Sequence, residues 1–199
     1  MPKIVDKQQK RKDIALSSTE LFCQKGFYKL TVSEVALNAN IAKGTIYKYF
    51  KNKEDIVFAI IEYAQDSYDQ EVLLNIQNTS LAEEKILALF NLCIGQGKQD
   101  IQRRKIYKEF ISICLNEPSV QIINLQKDIK KKYTSWLRDI LQDGIDKKLL
   151  KPEVLEFVDG LYAMGESVLI FSHLKNYNDV NMLQKHIKSL LKLNRSIKG

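Results

Sequence analysis

Between Thr31 and Phe50 the chain reads TVSEVALNANIAKGTIYKYF, and few backbones can bury its apolar residues. Val35, Ala39, Ile41, Ile46 and Tyr49 share one small core only if two short helices cross steeply around a tight turn. Ala36 keeps the first helix slim at the crossing. Thr31 is a good N-cap with Glu34 three residues on, the spacing of a capping box. Asn40 stands where the turn needs a left-handed backbone, and after glycine it is the residue that tolerates one best. The pattern is that of a helix-turn-helix, whose physical use is to set a helix against duplex DNA.

The second helix, expected over about Lys43 to Phe50, presents Lys43, Thr45, Tyr47 and Lys48 on its outer side, and Gly44 leaves room for a sugar-phosphate backbone. Donors and flat rings of this kind suit phosphates and base edges. Thr31 and Lys53 complete the candidate DNA-binding set, while Tyr49 and Phe50 are expected to pack the hairpin. Upstream, Ile14, Ser18, Leu21 and Phe22 form one helical face that stops at Gly26, with Phe22 and Phe27 placed to touch in a Schellman cap. Downstream, Asn52 with Glu54 and Asp55 reads as an N-cap and acidic first turn of a long helix.

The run of helix, QKGF turn, TVSEVA, KGTIYKYF and NKEDI resembles the N-terminal DNA-binding domain of the TetR family of repressors. The likeness covers roughly the first third of the chain. Two positions depart from it: the family usually has Gly where Asn40 stands, and often Ser or Thr where Ala42 stands, so the recognition helix is expected to start without a side-chain cap. The resemblance implies a division into residues 1–52, a helix-turn-helix DNA-binding domain, and residues 53–199, a helical domain for ligand binding and dimerisation.

Charge agrees with a polyanionic partner. Residues 1–60 hold 11 Lys and Arg against 6 Asp and Glu, and residues 61–199 hold 20 against 18, so positive charge is concentrated at the N-terminal end. Cys23, Cys93 and Cys114 are widely spaced among apolar neighbours, the usage of reduced, buried thiols in a cytoplasmic protein. His173 and His186 have no Cys or carboxylate at ligand spacing, and no metal or other cofactor is expected. The N-terminus MPKIVDKQQKRKD lacks the apolar segment of a secretory signal, and Ile86–Ile94 is far too short to span a bilayer, so no membrane partner is expected. Gly95-Gln96-Gly97-Lys98 lacks the spacing and the following Ser or Thr of a phosphate loop. No dinucleotide fingerprint, HExxH or GxSxG occurs either, and no enzymatic activity is expected.

The remainder reads as helix throughout, and the whole chain as all-α with about nine helices. A helix from about Lys53 into the 70s is followed by one capped by Thr79 or Ser80 through Phe90 and Ile94. Others run from Gln102 to Leu115, from Pro118, from Pro152, and from about Asp179 to Asn194. The helix after Pro152 is apolar nearly all round and so needs cover on two sides. One side carries Leu155, Val158, Tyr162, Gly165 and Leu169, and the final helix adds Leu183, Ile187 and Leu190. The resemblance implies that these last two helices form a homodimer interface. Phe90, Cys93, Tyr107, Phe110, Tyr133, Trp136 and Met164 are aromatic or soft residues suited to a pocket for an apolar or amphipathic effector of unknown identity. The implied function is a ligand-responsive regulator, a repressor that binds a palindromic operator as a homodimer and is released by a small molecule. Two readings stay beside it: a DNA-binding or architectural protein without an inducer, and an all-helical enzyme or carrier bearing a basic hairpin.

Overall fold

Capping residues and turn formers divide the described residues into helices almost without other structure. The computed structural model describes residues 6–116, 118–172 and 180–196. The side chains of Cys93, Ile94 and Val180 lie outside the described residues, as do His173 and Asp179. Among the described residues there are eleven α-helices: α1 (Lys7–Ser17), α2 (Thr19–Lys29), α3 (Val32–Asn38), α4 (Lys43–Ile46), α5 (Lys53–Gln77), α6 (Ala82–Leu89), α7 (Asn91–Ile94), α8 (Lys98–Asn116), α9 (Val120–Asp146), α10 (Val158–Phe171) and α11 (Val180–Leu193). A 3-10 segment, Pro152–Phe157, leads into α10, and the one β-type contact among these residues is an isolated bridge between Leu150 and Arg195.

The all-α expectation holds, and the count exceeds nine because two expected helices are broken. The first divides at Ser18, a fully buried residue whose hydroxyl donates to the Ile14 carbonyl at 2.8 Å. Back-bonding of this kind competes with the regular ladder. The second divides at Phe90, whose backbone leaves helical geometry at φ −98°, ψ 14°. Leu81, rather than Thr79 or Ser80, is the N-cap of α6 and has no capping side chain; the Thr79 hydroxyl is used instead by the Glu84 carboxylate. Gly26 has the positive φ expected of it (71°), but its ψ of 174° is extended, and another helical turn follows to Lys29. It marks a kink rather than an exit, because the Leu30 N–H still reaches the Gly26 carbonyl at 3.2 Å.

The chain separates into two compact units, residues 1–69 with 105–122, and residues 70–104 with 123–199. The core of the first includes Ile14, Phe22, Val35, Ile46, Ile56 and Phe110, all nearly fully buried. In the second, α10 and α11 both pack within the unit, and Leu137, Leu141, Leu161 and Leu183 are buried. Two glycines there permit close approach. A methyl group on Gly165 would lie 2.1 Å from the Phe90 ring, and one on Gly144 would lie 2.6 Å from Leu150.

Candidate nucleic-acid interface

The hairpin of α3 and α4 is built by local rules. Thr31 caps α3 and accepts from the Glu34 N–H at 3.3 Å, while the Glu34 carboxylate accepts from the Thr31 N–H at 3.1 Å and the Thr31 hydroxyl at 2.9 Å, a full capping box. Lys25 from α2 pairs with the same carboxylate. These bonds hold the Glu34 carboxyl below its usual range, the Lys25 contact being the largest cause. Asn40 takes φ 53°, the left-handed turn position expected of it. The Ile41 N–H then returns to the Ala36 carbonyl at 3.0 Å, closing the turn. Ala42 begins α4 without a side-chain cap. The α-helical part of the recognition segment is only Lys43–Ile46, and looser turns carry it on as the Phe50 N–H reaches the Ile46 carbonyl at 3.0 Å.

Inward and outward faces are largely divided, although Leu37 of α3 is exposed and Ala39 and Ile41, expected in the small core, are half-buried. Val35, Ala36, Ile46 and Phe50 are buried, and Tyr49 is half-buried. Lys43, Gly44, Tyr47 and Lys48 are exposed, Tyr47 at 54%, and Thr45 is half-exposed. A methyl group on Gly44 would meet nothing within 4 Å. Exposing a tyrosine ring beside two lysines leaves apolar surface and cationic donors open to a partner of the kind DNA supplies. Thr31 is exposed, although its hydroxyl is engaged by Glu34. Lys53 is half-buried with its ammonium 4.6 Å from the centre of the Phe27 ring, a cation–π contact that fixes where the charge is held.

Sequence reasoning missed the residues that orient this surface. Arg11, on α1, donates to the Tyr49 carbonyl at 2.8 Å and to the two Asp55 carboxylate oxygens at 2.6 and 3.2 Å, and its guanidinium lies 4.5 Å from the Phe50 ring centre. Asp55, at the start of α5, also accepts from the Lys51 N–H at 2.9 Å. One planar, bidentate side chain therefore joins α1, the end of the recognition segment and α5. Burial alone would raise the Asp55 carboxyl, but the Arg11 and Lys51 hydrogen bonds and charges outweigh it and hold it below its usual value. Arg11 could have been suspected only as a basic residue in the α1 pattern, because its partners lie 38 and 44 positions away.

The remaining expected sets have different surroundings. Tyr107 and Phe110 are buried in the first unit with ring centres 6.3 Å apart. Phe90, Tyr133, Trp136 and Met164 belong to the second unit, where the Tyr133 and Trp136 rings form a tilted pair with centres 5.1 Å apart and Phe90 fills the space over Gly165. None of these lines the open groove of about 440 Å³ on α9 and α10, which is walled by Lys130, Asp159, Tyr162, Glu166, Ile170 and Phe171 among others. Of the residues expected at a subunit interface, Val158, Tyr162, Gly165, Leu169, Leu183 and Ile187 are buried within their own unit, and Leu155 and Leu190 are half-buried. The side of α10 left open is another one, with Ala163 exposed and Ile170 and Phe171 at 44% and 41%. Tyr162 bridges the two sides: its ring is buried, and burial followed by the nearby Glu166 charge pushes its pKa up. Cys23 is half-buried and its thiol is raised to about 11, mainly by burial, which keeps it protonated and poorly nucleophilic at neutral pH. No described helix is long and apolar enough to cross a membrane.

Comparison with known proteins places these features in context. The profile of bacterial regulatory proteins of the tetR family matches residues 16–60, the segment that holds the hairpin and its flanking helices. The HTH-type transcriptional regulator HbdR of Aromatoleum sp. is 33% identical over 85 residues, which is 43% of this chain and 36% of that protein. The match to HbdR thus spans about a third of that relative's length. A fatty acid metabolism regulator protein of Bacillus subtilis is 27% identical over 149 residues, 73% of each chain. Among solved structures, a TetR-family transcriptional regulator from Cytophaga hutchinsonii superposes with a TM-score of 0.82 at 18% identity, covering 98% of this chain and 100% of that one. At that identity the superposition speaks to the fold.

Proposed function

Since this chain belongs to the TetR family of bacterial regulatory proteins, we propose that it is a cytoplasmic repressor that binds a palindromic operator as a homodimer and is released by a small apolar or amphipathic effector. Residues 1–52 then serve DNA recognition and residues 53–199 effector binding and dimerisation. One observation carries the DNA-binding part. The capped, turned and oriented α3–α4 hairpin leaves Lys43, Gly44, Tyr47 and Lys48 exposed on one side while Val35, Ile46 and Phe50 are buried on the other. A recognition helix in each major groove needs two half-sites about one helical turn apart, roughly 34–36 Å. Genomic footprinting with the purified protein identifies the operator, and binding is then compared for the intact site and for one with a scrambled half-site. Loss of most specific affinity is expected; equal affinity overturns the symmetric dimer.

For dimerisation, the open side of α10 around Ala163, Ile170 and Phe171 is the proposed partner surface, because it is the apolar side that its own unit leaves uncovered. Lys130 and Asp159, paired at 3.3 Å, edge the groove there. Ile170→Glu should give a monomer by analytical ultracentrifugation, and a stable dimer would place the interface elsewhere. An apolar effector is in keeping with the relative named for fatty acid metabolism. A second reading, regulation without an inducer, is favoured by the Phe90 ring filling the space over Gly165. Linkage separates the two, because an inducer must bind free protein more tightly than the operator complex by the same factor by which it weakens DNA binding. Emission from Trp136, the single tryptophan, reports binding directly.

A further inference from the structure

The kink at Gly26 is not explained by the hairpin alone. Gly26 combines a φ of 71° with an extended ψ of 174°, so the helical run of α2 is interrupted and the turn from Phe27 to Leu30 starts afresh. The N–H of Phe27 lies at the beginning of that new turn and needs an acceptor there. Glu109, on α8 and 82 positions away in sequence, supplies it: its carboxylate accepts from the Phe27 N–H at 3.0 Å. The fit requires the absence of a side chain at Gly26, where a methyl group would stand 2.6 Å from one Glu109 oxygen. A carboxylate on the first N–H of a helical turn is also favoured by the local peptide dipoles.

What that turn carries connects it with DNA. Phe27 is the ring on which the Lys53 ammonium rests, at 4.6 Å. The turn runs through Leu30, nearly fully buried, into Thr31, the N-cap of α3. A shift of the Phe27–Leu30 segment would therefore move one proposed phosphate-contacting lysine and the start of the helix that supports α4. We infer that Glu109 is a positioning residue for operator recognition: by holding the Phe27 N–H it sets the α2 kink, and through the kink the placement of Lys53 and α3. This rests on the operator-binding reading above.

Electrostatics and positioning predict opposite signs, which makes the inference testable. Removing one negative charge from a DNA-binding protein should by itself leave binding to random duplex unchanged or slightly tighter. Loss of a positioning contact should weaken binding to the operator. For Glu109→Ala we expect operator affinity to fall about tenfold, random-duplex affinity to fall by no more than about threefold, the share carried by the Lys53 charge, and exchange of the Phe27 amide hydrogen to speed at least tenfold. Glu109→Gln removes the same charge but keeps an acceptor oxygen, and it should restore operator affinity to within about threefold of the unmodified protein. Should the alanine variant fail to fold, Glu109→Met keeps the side-chain bulk without the acceptor and takes its place. Unchanged operator affinity in the variant without an acceptor overturns the inference, as does a glutamine variant as weak as that one, or equal losses on operator and random duplex. If the unmodified protein itself prefers no sequence to random duplex, the operator-binding reading fails instead.

Discussion

The recognition hairpin and helix α10 are stabilised in opposite ways. The α-helical part of α4 is four residues long and fully buries a single side chain, Ile46. Burying one isoleucine contributes roughly 1.5–3 kcal/mol, and a smooth apolar contact does little to set direction. Orientation comes from directional bonds: the Thr31–Glu34 capping box, Arg11 on Asp55 and the Tyr49 carbonyl, and the Asn38 amide donating to the Ser17 carbonyl at 2.7 Å. Helix α10 buries Val158, Leu161, Tyr162, Gly165, Val168 and Leu169 in fourteen residues and is placed by shape, with the Phe90 ring against the bare backbone of Gly165. A surface that must meet a fixed external lattice of phosphates needs angular control that hydrogen bonds provide. A helix that must only exclude water is located by packing.

The largest effect should come from breaking the shape fit. Gly165→Asp puts a methylene where the Phe90 ring stands and strands a charge in an apolar site, and a loss of about 4 kcal/mol or more is expected. Thermal unfolding followed by circular dichroism measures it. Gly165→Ala should cost about 1–3 kcal/mol, and Phe90→Leu in the same chain should recover part of that loss, since the two sites are coupled. Additive losses would show that the ring is free to move aside.

Breaking the directional bonds should cost less stability but more recognition. Arg11→Met is expected to lower stability by about 2 kcal/mol, because Asp55 is left part-buried without its cation. Operator affinity should drop about tenfold, against little change for Gly165→Ala variants that remain folded. The pH dependence has a defined sign. The Asp55 carboxyl is depressed in the folded state, so its contribution is fully present above the unfolded value near 3.8 and is lost as pH falls through the lower folded value. The stability gap between the parent protein and Arg11→Met should hold constant from pH 7 to about 5 and narrow below about pH 3.8. A gap that persists unchanged at lower pH would assign the effect to the Tyr49 carbonyl bond and the Phe50 contact instead.

Smaller effects test the turn and the edge of the surface. Asn40→Gly relieves a left-handed residue and should stabilise by roughly 0.5 kcal/mol, whereas Asn40→Ala should destabilise by about 1 kcal/mol. Lys53→Ala should weaken all duplexes about equally and flatten the salt dependence by about one unit. An unaltered slope would mean that Lys53 serves the Phe27 ring and not a phosphate.

What the sequence determined by itself is local in the chain. The capping box at Thr31, the left-handed Asn40, the uncapped start at Ala42 and the N-cap at Asn52, whose side chain accepts from the Asp55 N–H at 2.8 Å, each involve residues within a few positions of one another. Backbone geometry over that range is fixed by residue type, so caps and turns can be read without a fold. The alternation of buried and exposed residues through the hairpin is legible for the same reason. Helix breaks at Ser18 and Phe90 were not, because Ser18 and Phe90 are compatible with continuous helix and are displaced from it by packing and competing hydrogen bonds. Tertiary structure alone decided which apolar side of α10 its own unit covers: both sides have helical spacing, and only the position of Phe90 assigns Gly165 to the interior. It likewise decided the roles of Arg11 and Glu109, since a charged residue on a helix face has no marked partner until folding brings a carbonyl, a carboxylate or a free N–H from distant sequence to within hydrogen-bond reach.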